Sequence, residues 1–387
     1  MHAYGQTTLA AGIRSRFVAN VNGLTMHVLE AGYETAGRPS LLLLHGFPEL
    51  AYSWRKVMLP LAAAGYHVIA PDQRGYGRTS GWDPSYDGDL ASYQMLNLAR
   101  DAVGLIAALG IRSVAGVVGH DFGASVAGWC ALLRPDIFQS TAIMSAPFPG
   151  PPSLPFATAD RALSEGEALP AVTRITPALA ALDPPRKHYH WYYATRQADA
   201  EMRNARQGLH DFLRAYYHQK SADWPGNAPH PLSAWTADEL AKLPNYYVMP
   251  RDLTMAEAVA LDMPTSAEIA ACRWLTDEEI SVYAGQFAST GFQGGLNWYR
   301  CRQVPHMIAA HELFSGRTID VPMCFISGAQ DWGVHQTPGA LEAMEQSACT
   351  QYRGTHLIEQ AGHWVQQEQP DQVVRLLLAF LNDGKQR

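Results

Sequence analysis

The sequence predicts an α/β fold, with a mostly parallel sheet flanked by helices and interrupted by a large, mainly helical insertion. Three observations carry this reading. Short apolar runs recur at 41–46 (LLLLHG), 67–72 (HVIAPD) and 114–121 (VAGVVGHD), each ending in a turn or polar residue. Runs of about four to eight apolar residues between turn signals read as buried strands. Helix-like stretches lie between them, and strands alternating with helices imply parallel pairing with both faces of the sheet covered. The pattern lapses after about residue 149 and resumes at VPMCFISGAQD (321–331).

Taken in order, LASYQMLNLARDAVGLIAAL (90–109) reads as a helix, and FGASVAGWCALLRP as a second, rich in small residues and stopped by Pro135. STAIMSAP (140–147) is a further strand, and PFPGPPSLP (147–155) is too rich in proline for a regular element. Residues 160–305 show helical patterns with much Tyr, Trp and charge and no convincing buried strand. A strand in THLIEQAGHW (355–364) and an amphipathic helix at 370–381 close the chain. The expected division is core 1–148, helical cap 149–305 and core 306–387.

With 387 residues, the chain has room for one large domain carrying such an insertion. A net charge of −7 gives no basic footprint, so no nucleic-acid partner is expected, nor attraction to an anionic membrane. No apolar run is long enough to span a bilayer, and MHAYGQTTLAAGIRSRF lacks the apolar stretch of a secretory signal. The five cysteines (Cys130, Cys272, Cys301, Cys324, Cys349) are odd in number, far apart and free of any C-x-x-C. Reduced thiols in a cytoplasmic protein are the expectation.

The chemistry concentrates in VVGHDFGAS (117–125). Gly119 and Gly123 flank Asp121 with the spacing of a nucleophile elbow, a sharp strand-to-helix turn that lifts one side chain above the sheet. The helix N-terminus beneath favours an anion there. The structural alternative is a plain turn with Asp121 capping the helix. Position favours the elbow, because the motif ends an apolar strand, opens a helix, and no G-x-S-x-G occurs in the chain. Downstream, Asp331 in SGAQD lies just past a strand end, where open α/β sheets bind ligands. His363 in AGHW follows a short strand, in a loop from which an imidazole reaches over the sheet edge. Phe47 in HGFPEL and Phe122 beside Asp121 offer two backbone N–H groups toward one point, an oxyanion hole. Alone, each of these is an ordinary turn or structural residue. The order Asp121, Asp331, His363 is that of nucleophile, acid and base in α/β-hydrolases. No histidine spacing suggests a metal; His188 and His190 would diverge on a helix.

Together with HGFPE and SWR (45–49, 53–55), PDQRGYGRTS (71–80), LTDEEISVYAGQFASTGFQGGLNWYR (275–300) and GHWVQQEQP (362–370), these motifs resemble the soluble epoxide hydrolases of the α/β-hydrolase family. The resemblance implies Asp121 as nucleophile, His363 as base, Asp331 as its orienting acid, and Phe47 and Phe122 as oxyanion donors. It implies two cap tyrosines that hold the epoxide oxygen: Tyr299 in NWYR, and Tyr189 in KHYHWYYATRQADAE with Tyr192 and Tyr193 close by. Residue chemistry agrees. A strained sp³ carbon calls for an anionic nucleophile, and a carboxylate yields an ester that water can cleave, whereas serine would leave an ether. Tyrosine, with a pKa near 10, is neutral at pH 7 yet acidic enough to protonate an alkoxide. His190, Trp191, Trp298 and Trp364 are the expected pocket residues, around a small, apolar epoxide and water. No metal or organic cofactor is implied, and a homodimer is left open.

Departures and rivals sharpen the expectations. The stretches before HYHW and at 221–252 are long, so the cap is larger than the resemblance suggests, and Ser145 stands where relatives often carry Asn. A haloacid or haloalkane dehalogenase would use the same aspartyl ester, and YHW (189–191) resembles the halide-holding pair of fluoroacetate dehalogenases. Those enzymes carry arginines beside the nucleophile, where this chain has Phe122 and Ser125. Phe47, where haloalkane dehalogenases have Asn, offers no side-chain donor. A non-catalytic receptor on the same fold would be expected to lose triad members, and all are present.

Overall fold

A computed structural model describes residues 7–154, 160 and 169–383. The terminal stretch read for a signal and the opening of the expected insertion, including residues 155–159 and 161–168, fall partly outside them. The first half of the chain supplies β1 (Ile13–Val21), β2 (Leu24–Ala31), β3 (Ser40–Leu44), β4 (His67–Pro71), β5 (Gly116–His120) and β6 (Thr141–Met144). A separate antiparallel pair, β7 (Arg186–His188) and β8 (Val248–Pro250), follows, and β9 (Met323–Gly328) and β10 (Tyr352–Ile358) complete the main sheet. That sheet has eight strands in the order β1-β2-β4-β3-β5-β6-β9-β10. It is parallel from β4 to β10, with β1 and β2 antiparallel at one edge.

The central strands are buried along their whole length, which is why they read as continuous apolar runs. Full burial of each Leu or Val stabilises by about 1.5–3 kcal/mol, and Leu41, Leu42 and Leu43 are wholly buried in β3. The hairpin β1–β2 is absent from the sequence reading. β1 is an edge strand with Arg14, Arg16 and other half-open or exposed positions, so it never forms an apolar run. Its turn was nonetheless visible: Asn22-Gly23 joins the strands with φ of 47° and 83°, the positive pair of a tight hairpin turn. The short pair β7–β8 also departs from the strand-free reading of 160–305.

Helices α1 (Arg55–Ala63) and α2 (Met95–Ala108) connect β3 to β4 and β4 to β5 in opposite directions across the sheet. Right-handed crossovers therefore place them on opposite faces. α3 (Phe122–Leu133) follows β5 and packs on α2. Between β6 and β9, four helices bear on the site: α4 (Tyr189–Tyr193), α5 (Leu209–Lys220), α6 (Asp277–Thr290) and α7 (Gln293–Cys301). They are tied to the sheet by polar contacts, among them Trp298 Nε1–H to Arg74 O at 3.0 Å and Tyr217 O–H to Pro48 O at 2.9 Å. The last helix, α8 (Pro370–Asp383), packs on α1. No described helix is long and apolar enough to cross a membrane.

Candidate active site

From β3 the chain goes to β4 on one side and then to β5 on the other, so the switch point of the sheet lies between β3 and β5. Ligands of open α/β sheets bind above this point, and Phe47 and Asp121 meet there. Asp121 stands between β5 and α3 with φ 53° and ψ −120°. A non-glycine residue in such a conformation costs about 1–3 kcal/mol and persists only where its surroundings fix it. Glycines make the room: a Cβ on Gly119 would lie 2.1 Å from the Gly123 carbonyl oxygen, and one on Gly123 would lie 2.3 Å from Leu44 O. The carboxylate is thereby lifted off the sheet, and its Oδ1 accepts the Phe47 N–H at 2.9 Å. Phe122, the first residue of α3, puts its own N–H at the positive end of that helix.

His363 brings Nε2 to 3.4 Å from Asp121 Oδ2, too far for a hydrogen bond, and Nδ1 to 3.1 Å from Asp331 Oδ1. Ser145, at φ 69°, sits beneath. Its Oγ donates to Asp331 Oδ2 at 2.5 Å and lies 2.8 Å from His363 Nδ1. The Gly333 N–H (2.7 Å) and Ser327 hydroxyl (3.1 Å) also donate to Asp331. These acceptors place a proton on Nδ1 and turn Nε2 toward Asp121. Burial works against ionisation of Asp121, but His363, Lys220 and His120 outweigh it and hold the carboxyl well below the usual range. The same opposition, with His363 and Ser145 prevailing over burial, brings Asp331 to about 2.

A second buried pair lies below. His120 Nδ1 is 2.6 Å from Glu49 Oε2, and its Nε2 is 2.6 Å from the carbonyl oxygen of His363. Glu49 already accepts from the Gly46 N–H and from Gln366 Nε2. With acceptors at both ring nitrogens, His120 is an imidazolium, and its charge lies next to Asp121 in the chain. The His363 loop has one more anchor. Glu368 accepts the N–H groups of Ala222, Gly362 and Trp364 at 2.8, 2.9 and 2.9 Å, tying it to the end of α5. In Glu368→Gln, an amide NH₂ would face N–H donors. A loss of about 2 kcal/mol or more is expected, read as a lowered urea midpoint, together with reduced turnover.

A cavity of about 280 Å³ opens above Asp121, lined among others by Phe122, Ser125, Tyr189, His190, Tyr299, Arg302 and Gln336. Burial, then the nearby Asp121 charge, pushes both tyrosine hydroxyls well above their ordinary pKa, so they stay protonated. Burial and neighbouring positive groups likewise keep His190 neutral. The clustered tyrosines of α4 differ in the partners of their hydroxyls. Tyr189 faces the cavity, with its hydroxyl 2.9 Å from Gln336 Oε1. Tyr192 turns to Glu201 at 2.8 Å, and Tyr193 to Tyr216 at 3.3 Å.

Three expected pocket tryptophans are placed otherwise. Trp191, two residues from Tyr189 and so on the opposite side of α4, is 40% exposed. Trp298 packs edge-on against Phe122 and lines a neighbouring cavity instead. Trp364 is wholly buried, stacked on Tyr217 at 4.1 Å, and lines neither cavity. Nor is the cavity simply apolar, because Arg302, Gln336 and Ser125 bring polar groups into it. Among the described residues no group of His, Cys, Asp and Glu is arranged to hold a metal ion.

The family model of the α/β hydrolase fold matches residues 39–370. Epoxide hydrolase A of Mycobacterium tuberculosis is 33% identical over 380 residues, covering 96% of this chain and 98% of the relative. The chain belongs to the epoxide hydrolases of the α/β-hydrolase fold. Epoxide hydrolase B of the same organism is 32% identical, covering 94% of this chain and 97% of its own. A solved epoxide hydrolase from an endophytic Streptomyces superposes with a TM-score of 0.75 at 30% identity, covering 96% of each chain.

For an epoxide hydrolase, several residues of this site were not singled out in the sequence. Glu49 was quoted only as the end of HGFPE and His120 only as a flank of Asp121; their pairing spans 71 positions, and local pattern carries no sign of it. Ser145 was noted as a departure, without its bonds to Asp331 and His363. Arg302 had a legible signal: it follows Tyr299 by three residues, the spacing that puts two side chains on one helix face.

Proposed function

We propose that the protein hydrolyses small-molecule epoxides to vicinal diols through an ester of Asp121. The observation that carries this reading is the meeting, in one cavity, of an ionised carboxylate at an elbow with two protonated tyrosines, Tyr189 and Tyr299. Oδ1 is occupied by the Phe47 N–H, so Oδ2 is the attacking oxygen. It forms a bond to a ring carbon as the ring C–O bond breaks, and a tyrosine proton passes to the alkoxide. Water then gives a proton to His363 Nε2 and attacks the carboxyl carbon. The negative charge gathers on Oδ1, between the N–H groups of Phe47 and Phe122. Asp331, with Ser145, keeps the imidazole in the working tautomer. Collapse breaks the acyl–oxygen bond, His363 gives its proton to the departing diol oxygen, and the second proton of the water passes from the new carboxyl to the tyrosinate, which restores both the carboxylate and the tyrosine. The segment 149–305 serves as the cap that brings the tyrosines over the nucleophile. Halide displacement by the same carboxylate fits less well, since Trp191 is turned outward.

This route has an isotopic consequence. The diol departs with an oxygen that belonged to Asp121, and solvent oxygen takes its place in the carboxylate. A single turnover in ¹⁸O-water, with enzyme in excess, is therefore expected to label the peptide holding Asp121 and leave the diol unlabelled. Label in the diol after one turnover would mean direct attack by water and would sink the ester mechanism.

A further inference from the structure

A buried cation near the triad has no counterion. Lys220 ends α5, where a lysine ordinarily carries its charge out to water. Here the residue is 3% exposed. Its ammonium nitrogen lies 4.9 Å from the centre of the Tyr247 ring, 5.4 Å from that of Tyr216, 5.5 Å from Trp364 and 5.8 Å from Tyr246. Rings at such distances stabilise a cation through their quadrupoles. Among the described residues no carboxylate lies within ion-pair distance of it and no protein acceptor takes its protons. The anions that act on it, from beyond contact distance, all stand in the core: Asp121 after β5, Asp331 after β9 and Glu49 after β3. On the cap side, burial keeps the three tyrosines of the cage and His190 of α4 uncharged, so none of them cancels the charge. The backbone of the same residue holds the base: the Lys220 carbonyl accepts the His363 N–H at 2.8 Å.

A carboxylate beside Lys220 would neutralise it, whereas a cage of rings holds it without adding net charge. In dry surroundings its field then carries to the nucleophile. From this placement we infer that Lys220 is a positioning residue for hydrolysis of the Asp121 ester, its unneutralised ammonium stabilising the negative charge that returns to Asp121 in that step. The inference rests on the epoxide reading above. Lys220 acts through Asp121 and does not touch the substrate. The two half-reactions move charge in opposite senses. In ester formation Asp121 Oδ2 bonds to the ring carbon and gives up its charge to the ring oxygen, which takes a tyrosine proton. A fixed cation near Asp121 favours the carboxylate and gives that step no help. In ester hydrolysis the water oxygen bonds to the carboxyl carbon, its proton goes to His363 Nε2, and the carbonyl electron pair moves onto Oδ1. Asp331 and Glu49 are already anions there. His120 offsets one of them and Lys220 the other, so the new oxyanion forms without an excess of negative charge.

The test follows both half-reactions by rapid quench, with the full chain and with styrene oxide and cyclohexene oxide as probes. Methionine at 220 packs well on aromatic rings, and replacing a buried charge by an apolar group is often neutral or stabilising. The urea midpoint of Lys220→Met should therefore not fall, and Lys220→Gln serves as a second neutral variant. The ester on Asp121 is expected to form at the wild-type rate or faster and to hydrolyse about tenfold more slowly, the free energy of one pKa unit. Lys220→Arg keeps the charge and should hydrolyse the ester faster than Lys220→Met. In a His363→Gln background, where His120 and, across the cavity, Arg302 remain near Asp121, adding Lys220→Met should move the acid limb of adduct formation up by about one pH unit. Equal slowing of both half-reactions, wild-type ester hydrolysis in Lys220→Met, an arginine variant no faster than the methionine variant, or an acid limb that stays in place overturns the inference. Failure of both neutral variants to fold overturns it too, because the ammonium would then serve the structure. Failure of the epoxide reading looks different: the wild type would form no ester with either epoxide, and the inference would fall with it.

Discussion

A His363→Gln variant is expected to stop after a single event. Alkylation of Asp121 needs a carboxylate and a proton donor, and both remain. Hydrolysis of the ester needs a base at Nε2, and glutamine provides none. Steady-state turnover should fall by about a thousandfold or more, at the upper part of what general-base catalysis contributes. Intact mass should rise by that of the whole epoxide, and digestion should map the increment to the peptide holding Asp121. The variant also exposes the first step for study by pH. In the wild type His363 is the strongest of the groups that hold Asp121 ionised against burial, ahead of Lys220 and His120, so its removal raises the folded-state pKa of Asp121. The charged form is present above that pKa and is lost as pH falls through it, so the acid limb of adduct formation should lie at higher pH in the variant than in the first turnover of the wild type. The tyrosines are raised, so their protons are lost only at high pH. On the alkaline side the rate of adduct formation should therefore stay flat to about pH 9. If no adduct forms with epoxides that the wild type consumes, the assignment of Asp121 or of His363 is wrong.

The parts of this site that were legible in the sequence are those whose chemistry is local. Gly119, Asp121 and Gly123 must be close in the chain because a strand turns into a helix within that interval, and the flanking apolar run shows which strand it is. Asp331 and His363 could be placed for the same reason, since each follows a strand end by a few residues. What escaped depends on contacts between distant segments, or on helical phase. The Glu49–His120 pair, buried under the site, joins the loop after β3 to the end of β5 through side chains alone. Trp191 looked like a pocket residue because it belongs to a cluster of cap aromatics next to Tyr189. In a five-residue helix, however, neighbours two apart point to opposite sides. Arg302 was passed over because the family pattern ended at Arg300. The edge hairpin escaped for a different reason: six of the nine residues of β1 face solvent or are only partly covered, so its charged residues hide the strand from an apolar-run criterion, although Asn22-Gly23 marks its turn.

The open choice among Tyr189, Tyr192 and Tyr193 yields the last large effect. Ring opening puts charge on the epoxide oxygen, and only hydroxyls at the cavity wall can meet it. Tyr189 and Tyr299 line the cavity, whereas Tyr192 is committed to Glu201 and Tyr193 to Tyr216. Each of Tyr189→Phe and Tyr299→Phe is expected to slow ester formation by about a hundredfold, comparable to losing one donor from an oxyanion hole. Tyr299→Phe should cost the more. Tyr189 already spends its hydrogen on Gln336 at 2.9 Å and must exchange that bond for the substrate. With both hydroxyls gone the alkoxide has no proton source at the wall, and the double variant should lose about a thousandfold or more. The two losses should not multiply cleanly, because two donors to one oxygen act as a unit. Tyr192→Phe should fall within a few-fold of the wild type. Rapid-quench measurement of the first turnover separates these cases from effects on ester hydrolysis. A double variant that still alkylates Asp121 within tenfold of the wild-type rate would show that the oxygen is protonated from elsewhere in the cavity.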